Sequence, residues 1–400
     1  MKFVSGDLKK KVRRSMKAVA KPVLVSELIE EYQPGYLEVA TIGDVHLAHR
    51  RVKSTKIIKM LRGLFSPERM SQLDVLVING DLFDRRIYFS SEDVTHITDY
   101  FKHLIALANE HSVRIILLEG TPSHDNNQPK RLMELNDVLR DTYKCDLVYY
   151  DDITIDELVP GGPIALFIPD EISTDSDTTW MKVNELMRMK GIDKVDFAFM
   201  HGMFTYQEVV RSKDSHLETN YRGIVRHLAI INHWHLHSAN DFIRAPGSPE
   251  RLRHGEEETK GHHHFSYCSR NGVVKEYFVM SEDTTIFETI NVVGKSYGDV
   301  VKELDSRGHY PEGSNVRLFH SRDDESYLLL QNLQRDYGHL NITDKVSDVI
   351  TTKIEDSDIS LKTNIVAIRP DTINELMVPR LQHLEPEVLE LAMGILDGRS

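Results

Sequence analysis

The chain is poor in cysteine and contains no long hydrophobic run. Its 400 residues include only two cysteines, Cys145 and Cys268, which give neither a disulfide framework nor the spacing of a zinc site. No apolar stretch follows the basic N-terminal run that could serve as a signal peptide or a membrane span. These absences exclude a disulfide-stapled secreted domain and an integral membrane protein. We therefore expect a soluble protein of a reducing compartment, with the cytoplasm as the default.

Net positive charge is lacking as well. The formal net charge is -13, so the surface as a whole is not basic. Any binding of nucleic acid must therefore use local basic patches. Acidity does not exclude a nuclease, because carboxylates that hold divalent cations add to the negative count. With 40% hydrophobic and 28% charged residues, the composition is that of a globular protein of two or three domains.

Strand and helix patterns alternate along most of the chain. Apolar β-branched runs separated by amphipathic stretches predict an α/β fold in which helices cover a sheet on both faces. We assign residues 1–35 to a basic N-terminal extension and 36–286 to the main domain. Residues 287–366 predict a smaller α/β module without a ligand cluster, and 367–400 predict a C-terminal helical segment.

Four short strings of acidic residues and histidines occur in one order along the main domain. They are GDVH at 43–46, GDLFD at 80–84, SHD at 123–125 and HWH at 233–235. Three of them follow an apolar β-branched run, so we expect each ligand at the end of a strand, where open α/β sheets present their sites. One more histidine, His201, directly follows the apolar run VDFAFM at 195–200. The candidate metal ligands are therefore Asp44, His46, Asp81, His201, His233 and His235. This set predicts a two-metal phosphoesterase centre.

The residue types at these positions suggest individual roles. Asp44 and His46 lie two residues apart at a strand end, so both side chains can hold one ion, and Asp81 is placed to bridge two. Carboxylates mixed with imidazoles suit manganese, iron or zinc better than calcium, and two such ions would activate water for attack on phosphorus. His124, near the metals, would protonate the leaving oxygen. Asp125 would orient that imidazole or cap the following helix.

This ordered set resembles the calcineurin-like metallophosphoesterases, whose pattern runs D-x-H, GDxxD, GNH(D/E), H and GHxH. The resemblance covers about residues 37–237, and the string APGSPERLRHGEEETKG at 245–261 is similar to a segment of the SbcD/Mre-type DNA repair nucleases. The resemblance implies a β-sandwich flanked by helices, two divalent cations, with Mn²⁺ favoured, and a small capping domain that helps to hold DNA. It also implies a C-terminal helical part that docks on the coiled coil of an SbcC-type ATPase subunit. A homodimer is the other assembly we consider.

One motif departs clearly from the family pattern. Where the family has Gly-Asn-His-Asp, residues 120–125 of this chain are GTPSHD. The amide ligand of the second cation is missing, and Ser123, directly before the histidine, is our candidate for its place. A neutral hydroxyl is a poorer ligand, so Asn126, Asn127 or water could complete that site instead.

The last motif is also altered, because Asn232 stands where the family has glycine. Asparagine tolerates a left-handed backbone better than other non-glycine residues, so this change is mild. Two registers fit the histidines that follow. We favour His233 with His235 as the ligand pair, since an apolar strand then leads directly into Asn232, and His235 with His237 is the alternative.

Four arginines are candidates for contacts with DNA phosphates. Arg85 and Arg86 lie beside the metal loop, whereas Arg251 and Arg253 have acidic neighbours at 256–258 and could instead form internal salt bridges. The leading hypothesis is a manganese-dependent exonuclease and endonuclease that acts on double-stranded DNA in repair or recombination. The alternatives are a small-molecule phosphodiesterase or phosphatase of the same superfamily, and a non-catalytic DNA-end-binding subunit.

Overall fold

A computed structural model describes residues 20–88, 91–170, 175–208 and 212–346. The strands within these ranges are β1 (Lys21–Val23), β2 (Leu37–Ile42), β3 (Val75–Asn79), β4 (Arg114–Leu118), β5 (Leu147–Tyr150), β6 (Thr154–Glu157), β7 (Ile164–Ile168), β8 (Val195–Gly202), β9 (Val225–His233), β10 (Ser238–Asn240), β11 (Ile243–Ala245), β12 (Gly261–Cys268), β13 (Gly272–Met280), β14 (Phe287–Asn291), β15 (Ser314–His320) and β16 (Leu340–Val346). The helices are α1 (Val25–Glu31), α2 (Ser54–Leu64), α3 (Pro67–Met70), α4 (Glu92–His111), α5 (Lys130–Val138), α6 (Ser176–Lys190), α7 (Glu218–Ile224), α8 (Tyr297–Asp305), α9 (Glu325–Leu328) and α10 (Leu330–Asp336).

The strands form two large sheets and one small one. The first sheet has the order β1-β13-β12-β2-β3-β4-β5, in which β2 to β5 run parallel. The second has the order β10-β11-β9-β8-β7-β6, in which β7, β8 and β9 run parallel. The third consists of β14, β15 and β16, all parallel. The mixed α/β class that the sequence predicts is therefore confirmed.

Alternate side chains of the two large sheets meet in a shared core. On β3, Val75 and Val77 pack into the core between the sheets, whereas Leu76 and Ile78 pack on the opposite face with α2 and α4. Phe197 and Phe199 of β8 enter the same core from the second sheet, whose outer face is covered by α6 and α7. Because successive side chains alternate across a strand, strands buried on both faces need nearly continuous apolar runs. The layers are helices, sheet, sheet, helices.

Local signals in the sequence set the ends of the long helices, as α6 illustrates. The carboxylate of Asp175, at the N-cap, accepts a hydrogen bond from the backbone N–H of Thr178 at 2.7 Å. Gly191 follows the last turn with a φ of 63°, a left-handed conformation that glycine adopts without steric cost. The helix therefore begins and ends where its sequence provides a cap.

The carboxyl ends of the parallel strands in the two sheets meet at one edge of the sandwich. Asn79, the last residue of β3, joins them. Its side-chain amide donates to the carbonyl of Met200 on β8 at 2.8 Å and to Oδ1 of Asn232 on β9 at 3.1 Å. The loops that follow strands of both sheets are therefore brought together, and every candidate metal ligand lies at this edge.

Residues 20–35 are the described part of the predicted N-terminal extension at 1–35, for which a helix lying on the main domain and a flexible arm are the two alternatives. β1 pairs in parallel with β13, Val23 is fully buried, and Leu28 of α1 packs in the helical layer over the first sheet. The described part of this segment therefore belongs to the main domain. The strand that pairs with β1 is distant in sequence, so no local pattern could have revealed the pairing. Residues 1–19 lie outside the described ranges.

The third sheet and α8 to α10 form a small module with an apolar core of its own, to which Val300, Val316 and Leu333 contribute. The first strand of this module begins at Phe287, the residue at which the predicted capping domain begins. The remainder of that prediction, 347–366, and the predicted partner-binding helices at 367–400 lie outside the described residues. Within the described ranges, no helix has both the length and the apolar character needed to cross a bilayer.

The core between the sheets makes a stability prediction. The Phe197 ring is fully buried, and its centroid lies 4.9 Å from that of Phe265 and 5.3 Å from that of Tyr267. Phe197→Ala would leave a cavity there, and we expect the free energy of unfolding to fall by about 3–5 kcal/mol. Urea denaturation followed by circular dichroism measures this change. Met189→Ala, at a site on α6 that is 75% exposed, is the control and should change stability by less than about 0.5 kcal/mol. Equal losses of stability in Phe197→Ala and Met189→Ala would contradict the packing of Phe197 between the two sheets.

Candidate metal centre

The backbone is in the left-handed region at four of the predicted ligands. The angle φ is 51° at Asp44, 53° at His46, 49° at Asp81 and 129° at His233. Non-glycine residues rarely adopt such angles, and each residue that does so costs roughly 1–3 kcal/mol of folding free energy. Residues with this backbone conformation are concentrated at functional sites. The surrounding structure must therefore hold these loops in place against local strain.

Two glycines allow the ligand loops to approach one another. A Cβ atom at Gly80 would lie 2.2 Å from Nδ1 of His201, and one at Gly120 would lie 2.1 Å from the backbone nitrogen of Asp81. No side chain can be accommodated at these distances. The glycines before Asp81 and after β4 are therefore required by the packing of the site.

Asp44, His46 and His235 form the first ligand group. One ligand atom of each lies within 4.8 Å of the others, and the two Nε2 atoms of His46 and His235 are 3.1 Å apart. Oδ1 of Asp44 is buried and has no hydrogen-bond partner among the described residues. A buried carboxylate oxygen without a partner is costly, and a cation between these three side chains would satisfy it. The group therefore fits a divalent cation.

Asp81, His201 and His233 form the second ligand group. Nε2 of His201 lies 3.3 Å from Oδ2 of Asp81. Nδ1 of the same ring donates to the carbonyl of Asn79 at 2.9 Å. This donation fixes the tautomer, so Nε2 carries the lone pair and can act as a ligand.

The carboxylate of Asp81 lies between the two groups. Its Oδ2 atom is 3.8 Å from Nε2 of His46, and a third group consists of His46, Asp81 and His124. Burial alone would raise the pKa of the Asp81 carboxyl, but the imidazoles of His201 and His46 hold it below its ordinary value. An ionised carboxylate shared in this way has the position of a bridging ligand.

The motif at 120–125 is arranged differently from the prediction. Thr121, and not Ser123, lies against the second ligand group. The backbone N–H of Thr121 donates to Oδ1 of Asp81 at 2.7 Å, and its Oγ1 is 3.3 Å from Oδ2 of the same carboxylate. The physical reason is a tight turn, in which the carbonyl of Thr121 accepts from the backbone N–H of Asp125 at 2.9 Å. This turn leaves Ser123 exposed, as are the alternatives Asn126 and Asn127.

Asp170, which follows β7, is a residue of this site that sequence reasoning missed. Its Oδ2 atom accepts a hydrogen bond from Oγ1 of Thr121 at 3.0 Å and lies 3.8 Å from Nδ1 of His233. The signal that could have found it is the same as for the other ligands, an acidic residue just after an apolar β-branched strand.

His124 is held by the loop after β3. Its Nδ1 donates to the carbonyl of Asp84 at 2.7 Å, and its ring centroid lies 4.9 Å from that of His46. Since Nδ1 is engaged, Nε2 is the nitrogen that can carry a second, transferable proton. The structure thus brings His124 to the edge of the metal centre.

Asp125 has a different role from either of those predicted. This fully buried carboxylate accepts backbone N–H bonds from Phe83 at 2.8 Å and from Gly120 at 2.9 Å. Burial and the nearby charge of Asp81 raise the pKa of Asp125 well above its ordinary value, while the two N–H donors oppose that rise. Asp125 therefore ties the loop after β3 to the loop after β4, and its partners are backbone groups rather than the imidazole of His124.

Glu256 is the second residue that sequence reasoning missed as part of the site. Its Oε1 atom is 3.1 Å from Nδ1 of His235, and its Oε2 atom is 3.1 Å from Nζ of Lys260. Although burial opposes ionisation, the hydrogen bond from His235 and the charge of Lys260 lower the pKa of Glu256 to about 2. A carboxylate behind a ligating imidazole fixes the ring and makes it a stronger ligand.

The two histidine registers are distinguished by geometry. His233 and His235 both belong to ligand groups, whereas the ring of His237 stacks on Phe278 at a centroid distance of 3.9 Å. Asn232, in the place of the family glycine, donates from Nδ2 to Oδ2 of Asp44 at 3.2 Å. It therefore helps to position the first ligand group.

The four candidate arginines divide into two pairs. Arg85 and Arg86 are exposed beside the metal loop. Arg251 donates to two backbone carbonyls of its own loop at 3.4 Å, and Nε of Arg253 lies 3.1 Å from Oε1 of Glu256. Arg253 thus forms an internal salt bridge, the alternative considered for both arginines, whereas Arg251 makes only hydrogen bonds to backbone carbonyls in these contacts.

Neither the protein-family models nor the curated proteins include a match to this chain. Among solved structures, one similar chain is 13% identical with a TM-score of 0.37, and the match covers 61% of this chain and 99% of that chain. A similarity this weak does not establish the fold or the function of the chain.

The contact between Glu256 and His235 predicts an effect on metal affinity. Glu256→Gln keeps the size of the side chain but provides a weaker acceptor, and we expect the affinity for Mn²⁺ to fall about 10- to 100-fold. Calorimetric titration of the purified chain with Mn²⁺ measures the change. Glu257→Gln, at an exposed neighbouring position, is the matched control and should bind as the wild type does. Wild-type affinity in Glu256→Gln would show that His235 does not depend on this carboxylate.

Proposed function

We propose that the chain is a two-metal phosphodiesterase on a calcineurin-like metallophosphoesterase fold, acting on DNA as an exonuclease and endonuclease. The observation that carries this proposal is the buried carboxylate of Asp81 between two separate ligand groups. One group contains Asp44, His46 and His235, and the other contains Asp81 itself with His201 and His233. Oδ2 of Asp81 also lies 3.8 Å from Nε2 of His46 in the first group. The position of all these ligands at the carboxyl ends of parallel strands supports the same conclusion.

The donor set supports a transition-metal cation, and the choice of Mn²⁺ among these rests on the resemblance of the motifs. Each group combines at least one carboxylate with two imidazoles, a mixture that suits manganese, iron or zinc better than calcium or magnesium. Two such cations, when bound, would activate a water molecule and stabilise the charge on the phosphoryl oxygens. The unpartnered Oδ1 atom of Asp44 and the orientation of His201 by the carbonyl of Asn79 are consistent with ligation.

His124 has the position of a general acid. In the proposed reaction, water attacks phosphorus in line while the bond from phosphorus to the departing oxygen breaks. Nε2 of protonated His124 gives its proton to that oxygen, and solvent restores the proton afterwards. The hydrogen bond from Nδ1 to the Asp84 carbonyl holds the ring throughout, so the donor does not have to be oriented in each turnover.

A nucleic acid is the substrate that the surroundings of the site favour. The exposed side chains of Arg85 and Arg86 adjoin Asp84 and can meet a phosphodiester backbone. The small module adjoins the loop that carries Glu256, since the ring of His254 lies 5.2 Å from that of Phe287. This loop therefore contacts both the small module, through His254, and the ligand His235, through Glu256. A role in DNA repair or recombination with an SbcC-type ATPase rests on the resemblance of residues 245–261.

Release of nucleotides from end-labelled double-stranded DNA in the presence of Mn²⁺ tests the proposed function. We expect the wild type to digest the DNA, and Asp81→Ala to be slower by more than about 100-fold, because even residues behind the ligands cost 10- to 100-fold when changed. Asp99→Ala, at an exposed position on α4, is the control.

Two outcomes of this assay would contradict the proposal. Hydrolysis of bis(p-nitrophenyl) phosphate without digestion of DNA would indicate a small-molecule phosphodiesterase. Inactivity on both substrates, combined with retained binding to DNA ends, would indicate a non-catalytic subunit.

The assignment of His124 makes a separate prediction. His124→Ala should reduce kcat on DNA by roughly 10²- to 10⁴-fold, because the departing sugar oxygen needs a proton. The same variant should lose far less activity on bis(p-nitrophenyl) phosphate, since p-nitrophenolate leaves without protonation. Steady-state rates on both substrates give the comparison, and His96→Ala on the exposed face of α4 is the control. Equal losses on the two substrates would rule out the role of proton donor.

A further inference from the structure

The hydroxyl of Thr121 lies where the second ligand group is incomplete. Its Oγ1 atom is 3.3 Å from Oδ2 of Asp81 and 3.3 Å from Nδ1 of His233. Nε2 of His201 lies 3.3 Å from the same Oδ2 atom. Ligand atoms held about 2.1 Å from one cation are separated by about 3.0–3.4 Å in octahedral or tetrahedral geometry. These three distances are those expected between ligands of one cation, and the ligand atoms of Asp81, His201 and His233 all lie within 4.8 Å of one another.

Asp170 determines how that hydroxyl is oriented. Of the two carboxylates within reach of Oγ1, Asp170 is nearer, at 3.0 Å, against 3.3 Å for Oδ2 of Asp81. A hydroxyl has one proton, and when that proton is donated to Asp170 the oxygen lone pairs are left for the side of Asp81 and His233. A hydroxyl that donates to a carboxylate also becomes a better electron-pair donor.

The backbone keeps Thr121 in this place independently of its side chain. Its N–H donates to Oδ1 of Asp81 at 2.7 Å, and the residue is only 8% exposed. The close approach of Gly120 to Asp81 further restricts the loop after β4. A substitution that removes only the hydroxyl should therefore leave the loop and Asp81 where they are.

We propose that Oγ1 of Thr121 is a ligand of the second divalent cation and that Asp170 is the positioning residue that orients it. The inference rests on the proposed function and adds to it a ligand that takes the place of the amide in the nucleases that the sequence resembles. Because a neutral hydroxyl is a weaker ligand than a carboxylate or an imidazole, the two cations should bind with different affinities. The cation shared by Thr121, Asp81, His201 and His233 should be the weaker one.

Titration of the full chain with Mn²⁺, with free Mn²⁺ measured by electron paramagnetic resonance, tests this assignment without depending on catalysis. The wild type should bind two equivalents in two steps. Thr121→Val has nearly the same shape and keeps the backbone N–H, and it should weaken the second step about 10- to 100-fold while leaving the first unchanged. Thr121→Ser restores a hydroxyl and should restore the second step.

Asp170→Asn separates positioning from direct ligation. If Asp170 acts through the hydroxyl, Asp170→Asn weakens the second binding step. The double variant, which also carries Thr121→Val, should then bind the second Mn²⁺ no more weakly than Thr121→Val alone. If Asp170 is itself a ligand, the two losses add, which would overturn its assignment as a positioning residue. Thermal unfolding without metal, compared among all variants, checks that each remains folded.

The remaining outcomes separate this inference from the proposed function. Two binding steps of wild-type affinity in Thr121→Val would overturn the ligand assignment and leave the phosphoesterase proposal intact. A single step in the wild type would also overturn it, because the second site would then not be complete. The absence of any Mn²⁺ binding by the wild type would instead contradict the metal centre as a whole.

Discussion

The ionised carboxylate of Asp81 is buried at the edge of an apolar sandwich, and its surroundings must compensate for the loss of water. The compensation comes from two directions. The backbone N–H of Thr121 donates to one oxygen at 2.7 Å, and the imidazoles of His46 and His201 lie beside the other. These partners come from the loops after β2 and β4 and from β8, so one carboxylate couples the two sheets. The left-handed backbone at Asp81 and the required glycine at Gly80 follow from that position.

The two-sheet architecture explains why each ligand group takes side chains from both sheets. In the first group, Asp44 and His46 follow β2 of the first sheet and His235 follows β9 of the second. In the second group, Asp81 follows β3 of the first sheet, and His201 and His233 end strands of the second. Since the parallel strands of both sheets end at the same edge, ligands from each can approach Asp81 from opposite sides. Their strained backbone and unpartnered polar atoms would be costly in the absence of cations, and cation binding would offset that cost.

Carboxylates that lie behind the ligands complete the arrangement. Glu256 contacts His235 in the first group, and Asp170 contacts Thr121 beside the second. The string at 245–261, which suggests a nuclease at the sequence level, has a local structural role here. Its Glu256 and Lys260 form a buried ion pair at 3.1 Å behind His235. Arg253 and Lys260 of this string therefore contact the carboxylate that holds His235, whereas the exposed Arg85 and Arg86, next to Asp84, are free of such internal roles in the proposal above.

The sequence by itself determined the α/β class and the set of candidate ligands, because apolar periodicity and the position of acidic residues and histidines after strands are local properties. Only the tertiary structure decided that Thr121 rather than Ser123 faces the second group, since a tight turn points one hydroxyl inward and the other outward. It also decided the roles of Asp170 and Glu256, and the pairing of β1 with β13. These contacts join segments distant in sequence, and their geometry depends on how the two sheets pack.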